Sequence, residues 1–207
     1  MWWLAVLLLA VPCAGFLYQW LGERRDARRL PPPGRFAGSL HVHETGSGGP
    51  PVVLEAGIAA SCLSWRLVER ELSRLTKVLA YDRAGFAWSP PAATPRTMAA
   101  LAADLRRMLD HSGAPGPFVL VGHSFGGLLL RHFASAHPEY VKALVLVDPL
   151  EPFEWHPLNA EQARRLSVGV RLSRRGALLA RLGVVRLGLD LLLAGSRALP
   201  KLLARAS

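Results

Sequence analysis

Residues Phe118 to Pro138 read FVLVGHSFGGLLLRHFASAHP: an apolar run, a serine bracketed by glycines, then residues at helical spacing. The pattern predicts a β-strand that turns sharply into a helix at Gly122-His123-Ser124-Phe125-Gly126, which satisfies G-x-S-x-G. A residue at such a turn has strained backbone angles, and glycines two before and two after it remove side chains that would clash. The Ser124 hydroxyl is thereby pushed above the end of a sheet, with a helix N-terminus aimed at any negative charge that develops there. This is the setting of a nucleophile.

The flanking sequence supplies a sheet for that turn to sit on. SLHVHE alternates in period two and predicts an edge strand, and PVVLEA, KVLAY, PFVLVG and VKALVLVD read as buried strands. Between them, SCLSWRLVERELSRL has helical spacing, while TPRTMAALAADLRRMLDHSG adds a Thr cap and a glycine stop. Strands alternating with helices predict an α/β fold, a largely parallel sheet flanked by helices. The chain's 51% apolar and 19% charged composition excludes wholesale disorder. The order of the strands is not legible.

MWWLAVLLLAVPCAGFLYQWLG carries no charged side chain from Met1 to Gly22. As a helix it would span about 33 Å, enough for a hydrocarbon core of about 30 Å. Trp2 and Trp3 stand at one end and Tyr18 and Trp20 at the other, as interfacial aromatics do. A transmembrane anchor is the expectation. A cleaved signal peptide competes with it, although no basic n-region or clear small-x-small site is present. Arg24, Arg25, Arg28 and Arg29 follow immediately and would keep the body cytoplasmic, a single-pass membrane protein. The expected organisation is an anchor at 1–22, a basic and Pro-rich linker at 23–38, an α/β core at 39–150, and a helix-rich cap at 151–207.

Ten of the basic residues behind the net charge of +10 lie between Arg164 and Arg205. A solvated helix face, an anionic membrane surface and nucleic acid are the classes such a tail allows. No helix-turn-helix, zinc or RNA-module signature accompanies it, so no nucleic acid is expected. Cys13 and Cys62 make no disulfide framework, and neither has metal-ligand spacing with a histidine. No metal and no cofactor is expected.

YQWLGERRDARRLPPPGR, VVLEAGIAASCLSW, YDRAGFAWS and FVLVGHSFGGLLLRHFASAHPEYVKALVLVDP together resemble the α/β-hydrolase fold family, particularly bacterial members with a membrane-anchored amino terminus. The resemblance implies that Ser124 is the catalytic nucleophile and that the backbone N–H of Phe125 is one oxyanion donor. It places the second donor in EAGIAAS, at the N–H of Ile58 beside Gly57; a plain post-strand turn is the other reading of that loop. Gly122 and Gly126 are the elbow glycines. Relatives that open epoxides or displace halide carry aspartate at the elbow, so serine points to ester, thioester or amide chemistry, or to acyl transfer, on a small-molecule or lipid-like acyl substrate. Asp82 and Arg83 of YDRAGFAWS read as scaffold, a charge pair pinning the loop near the pocket.

The family's order is nucleophile, then acid, then histidine, the last two beyond a helical cap. After Asp148 this chain enters cap-like sequence, and no later β-run with an acid and a strand-end histidine follows. Asp148 ends a strand, where some relatives recruit an acid and where a turn carboxylate also fits. His123 diverges from its neighbour, His132 is a surface or packing residue of the following helix, His111 and His137 sit at helix ends, and His156 lies in a loop. The expectation is a serine hydrolase fragment without its acid and histidine; a catalytically inactive binding or scaffold protein is the alternative.

Overall fold

The computed structural model describes residues 2–151 and 157–194, with side chains from residue 9 onward. The chain divides into two compact units, Pro32–His156 and the pair of segments Met1–Pro31 and Pro157–Ser207.

The larger unit is built on a six-stranded mixed sheet in the order β1-β2-β4-β3-β5-β6. Its strands are β1 (Arg35–Ala37), β2 (Leu40–Thr45), β3 (Val52–Glu55), β4 (Val78–Tyr81), β5 (Phe118–His123) and β6 (Val141–Val147). From β4 to β6 all neighbours are parallel, in keeping with their near-continuous apolar runs. β2 runs antiparallel to both β1 and β4, so it lies one place inside the sheet rather than at the expected edge. The segment before it forms a hairpin strand, turned at Gly38 with φ 59°. β2 can be interior because Leu40, His41 and Val42 are fully covered, His41 by a partner described below.

Helices cover the sheet unequally. α3 (Met98–Ser112) and α4 (Phe125–Ala136) place Leu105, Met108, Leu129, Leu130 and Phe133 against Val53, Leu79 and Leu120 on one face. Thr97 caps α3 by accepting from Ala100 N, and Gly113 ends it at φ 68°, as the sequence predicts. On the other face a 3₁₀ turn (Cys62–Trp65) and α2 (Arg66–Leu72) set Cys62 and Trp65 over Val52, Leu54, Val78 and Ala80. That cover reaches only β3 and β4 fully: on β6, Val145 and Val147 remain 45% and 40% exposed.

The smaller unit is helical. α1 (Trp2–Arg29) packs against α5 (Ala160–Arg181) and against the helical stretch 184–194 that follows the turn at Gly183. A capping box starts α5: Asn159 accepts from Gln162 N and the Gln162 side chain accepts from Asn159 N. This unit corrects the expectation of a single-pass anchor with a cytoplasmic body. Among the described residues no helix is long and apolar enough to cross a membrane. α1 runs unbroken from its apolar part into Glu23, Arg24, Arg25, Asp26, Arg28 and Arg29. Its polar groups are matched to other helical residues. Tyr18 donates to Asp190 at 2.5 Å, Arg186 donates to Gln19 at 3.1 Å, and Asp26 pairs with Arg186 at 2.7 Å. At Gly15 a Cβ would fall 2.3 Å from the Leu182 carbonyl oxygen, so that glycine admits the neighbouring backbone. The membrane partnership and the orientation built on the apolar run do not stand.

Candidate active site

The site grows from the C-terminal ends of three adjacent parallel strands, β4, β3 and β5, where loops leave the sheet. β5 enters the turn between β3 and β6, and Ser124 sits at its end with φ 53° and ψ −120°. A non-glycine residue with positive φ is costly, of order 1–3 kcal/mol, and persists only where its surroundings over-determine it. Here they do. Ser124 N donates to Val147 O at 3.1 Å, and Ser124 O accepts from Gly127 N at 3.0 Å and Leu150 N at 3.1 Å.

The glycines make the turn sterically possible. A Cβ on Gly122 would lie 2.8 Å from the Gly126 carbonyl group, and one on Gly126 would lie 2.6 Å from Glu55 O. α4 therefore starts hard against the ends of β5 and β3. Phe125 opens α4, so its N–H is one of the helix's unpaired first-turn donors. The loop after β3 lies beside it: a Cβ on Gly57 would come 2.8 Å from His123 Nδ1 and 3.6 Å from Ser124 Cβ. Ala59 in this loop also has positive φ, 56°. Ser124 and the Gly57-Ile58 loop thus lie side by side, and the Ile58 side chain projects into solvent.

The residue pair expected to pin the loop is arranged differently. Asp82 and Arg83 do not bond each other. Asp82 accepts from Cys62 N at 2.8 Å, from His41 Nδ1 at 2.8 Å and from Cys62 Sγ at 3.6 Å, all buried. Ser89 joins them, accepting from His41 N and donating to Asp82 O. Burial, with Asp82 alongside, pushes the Cys62 thiol up to about 12, so it stays protonated and is no nucleophile. His41, Cys62 and Asp82 each offer a donor atom within 4.8 Å of the others, a proximity that their sequence spacing does not reveal. Those atoms are already engaged with one another as a hydrogen-bonded cluster.

Arg83 takes a different set of partners. It donates to the Glu55 carboxylate, to Ala56 O at 2.6 Å and to Gly57 O at 2.6 Å. Tyr81 also donates to Glu55. Burial pushes the Glu55 carboxyl up to about 7, against the opposing pull of Arg83. Glu55 is the member of this group that sequence reasoning passed over. The available signal was an acid closing one predicted strand, LEA, and a base just past the next, YDR.

No described histidine ring hydrogen-bonds Ser124. His41 is bound to Asp82, His43 to Glu69, and His111 to Arg107 O. His137 lies against Glu139 and Phe133, His123 and His132 are exposed, and His156 lies outside the described residues. Asp148 follows β6 with φ 44°, exposed, between Val147 and Leu150, both of whose backbones bond Ser124.

A family model described as alpha/beta hydrolase fold matches residues 50–179. The chain belongs to the α/β-hydrolase fold family. Among its relatives, lipase LipV of Mycobacterium tuberculosis is 41% identical over 111 residues, which are 53% of this chain and 41% of LipV. The uncharacterized protein YbdG of Bacillus subtilis is 26% identical over 171 residues, 80% of this chain and 53% of YbdG. A thermophilic esterase from Thermogutta terrifontis superposes with a TM-score of 0.57 at 31% identity, covering 66% of this chain and 49% of the esterase. The epoxide hydrolase CorEH superposes with a TM-score of 0.55 at 26% identity, covering 62% of this chain and 45% of CorEH. The chain therefore spans about two fifths to one half of the length of these α/β-hydrolase relatives.

Proposed function

We propose that this chain carries the nucleophile half of a serine hydrolase that cleaves an ester, thioester or amide bond through an acyl-enzyme on Ser124. The observation that carries this reading is the left-handed backbone of Ser124 beside the Gly57-Ile58 loop. In the proposed reaction the Ser124 oxygen attacks the acyl carbon. The N–H groups of Ile58 and Phe125 receive the resulting oxyanion, a contribution of about 2.7–4 kcal/mol for each donor. Collapse expels the alcohol, thiol or amine, and water then releases the acid. A base must take the serine proton, and we assign that role, with its supporting acid, to polypeptide that pairs with the open edge of β6. Two facts support this. The chain spans less than two thirds of its relatives. β6 also has the composition of a central parallel strand while standing at the sheet's edge with apolar residues exposed. Within this proposal residues 39–150 supply the nucleophile.

The test is labelling by a fluorophosphonate probe, compared with Ser124→Ala. The expected result is slow, Ser124-dependent labelling, with ester turnover limited to a residual of about 10³–10⁴ over water. The second reading, an inert binding or scaffold protein, is favoured by the lack of a described histidine on Ser124. Labelling no faster than that of Ser124→Ala, also after the chain is extended past Ser207, would establish it.

A further inference from the structure

Arg83 stands past the end of β4, 5% exposed, with its guanidinium beside the two strand-end loops that meet at Ser124. One nitrogen donates to Ala56 O and the other to Gly57 O, each at 2.6 Å. Two consecutive carbonyls of the loop after β3 are thus gripped by one planar fork. The guanidinium carbon also lies 5.4 Å from the Phe125 ring centroid and 5.1 Å from that of Phe86. The same side chain therefore lies against Phe125 of the elbow as well as the loop after β3.

The geometry of the peptide group gives this a consequence. In a planar trans peptide the C=O of one residue and the N–H of the next point in opposite directions. Fixing Gly57 O toward Arg83 therefore fixes Ile58 N–H away from it. Fixing Ala56 O sets the Gly57 plane in the same way. Gly57 has no Cβ to hold its own backbone, and Ala59 with φ 56° follows, so this loop has little intrinsic preference for one orientation. Glu55 makes the arrangement tolerable by pairing the buried guanidinium from the end of β3.

We propose that Arg83 is a positioning residue for acyl transfer, holding the Gly57-Ile58 peptide so that Ile58 N–H faces the elbow. This rests on the reading of Ser124 as nucleophile and of Ile58 as oxyanion donor. Lysine cannot replace it: an ammonium keeps the charge opposite Glu55 but not the fork that spans two carbonyls.

The experiment compares the whole chain with Arg83→Lys in two measurements. The first is fluorophosphonate labelling resolved into the reversible affinity and the maximal labelling rate, with Ser124→Ala as the blank and the melting temperature as the folding control. Arg83→Lys is expected to lower the maximal rate at least tenfold with the affinity within about twofold, up to the 10²–10³ loss of a missing oxyanion donor. The second measurement is the amide nitrogen and proton shift of Ile58, which needs no turnover. A displaced Ile58 resonance, with the resonances of α3 unmoved, is expected. Labelling by Arg83→Lys at the wild-type maximal rate, or an unmoved Ile58 resonance, overturns the proposal while leaving Ser124 as nucleophile. If wild type labels no faster than Ser124→Ala, also when the chain is extended past Ser207, the hydrolase reading falls. The Ile58 shift then still decides whether Arg83 sets the loop. Should Arg83→Lys not fold, Arg83→Ala with added methylguanidinium replaces it, and recovery of the labelling rate is the expected result.

Discussion

Glu55 shows how one buried side chain ties strand, loop and pH together. It binds its proton more tightly in the folded chain, at about 7, than in the unfolded chain, at about 4.5. Its contribution to stability is therefore complete below the lower value and lost as pH rises through the higher one. Denaturant unfolding from about pH 5 to about pH 8 should show a decline of on the order of 3 kcal/mol from this group. Glu55→Gln, which keeps the shape without the charge, should flatten that slope. An unchanged slope would mean that Arg83 and Tyr81 hold the carboxylate ionised throughout. Cys62 illustrates the opposite outcome, a reactive residue type made inert by burial next to a carboxylate.

At the scale of elements, the elbow is a contact between β5, α4 and the end of β3 that only glycine permits. A Cβ on Gly122 meets the backbone of Gly126 and Gly127 at 2.8 Å, and backbone cannot step aside as a flexible side chain can. Gly122→Ala should therefore destabilise by about 1–3 kcal/mol, read as a lower denaturation midpoint at unchanged slope. It should also lower Ser124 labelling by moving α4 off the sheet. A midpoint equal to that of the parent chain would show that the turn has slack that its distances do not suggest. The cap of α3 at Thr97 is of another kind. It was legible from the sequence because a cap is local, set by residues three apart.

At the scale of the molecule, the sheet ends on a strand that is apolar enough to be interior. Among the described residues, Val145 and Val147 leave one face of β6 uncovered, and no strand pairs with its outer edge. The chain should therefore self-associate as concentration rises, measured by analytical ultracentrifugation. Val145→Lys should shift the population toward monomer without lowering the melting temperature by more than a few degrees. Association unaffected by that charge would place the sticky surface elsewhere.

What the sequence determined by itself was local in chain distance. Strand, turn and helix around Ser124, the elbow glycines, the caps of α3 and the apolar strands follow from periodicities and steric rules that act within a few residues. The tertiary structure decided what depends on neighbours in space. It put β2 inside the sheet, sent Asp82 to His41 and Cys62, and sent Arg83 to Glu55 and the loop after β3. It also turned the apolar amino-terminal run into a helix whose charged end and polar side chains bond to residues 186 and 190. Composition gave that run the look of a lipid-facing span, because hydropathy counts side chains without their partners. Pairing across 20 or more residues of chain is fixed by strand order, and no repeating pattern in the sequence encodes it.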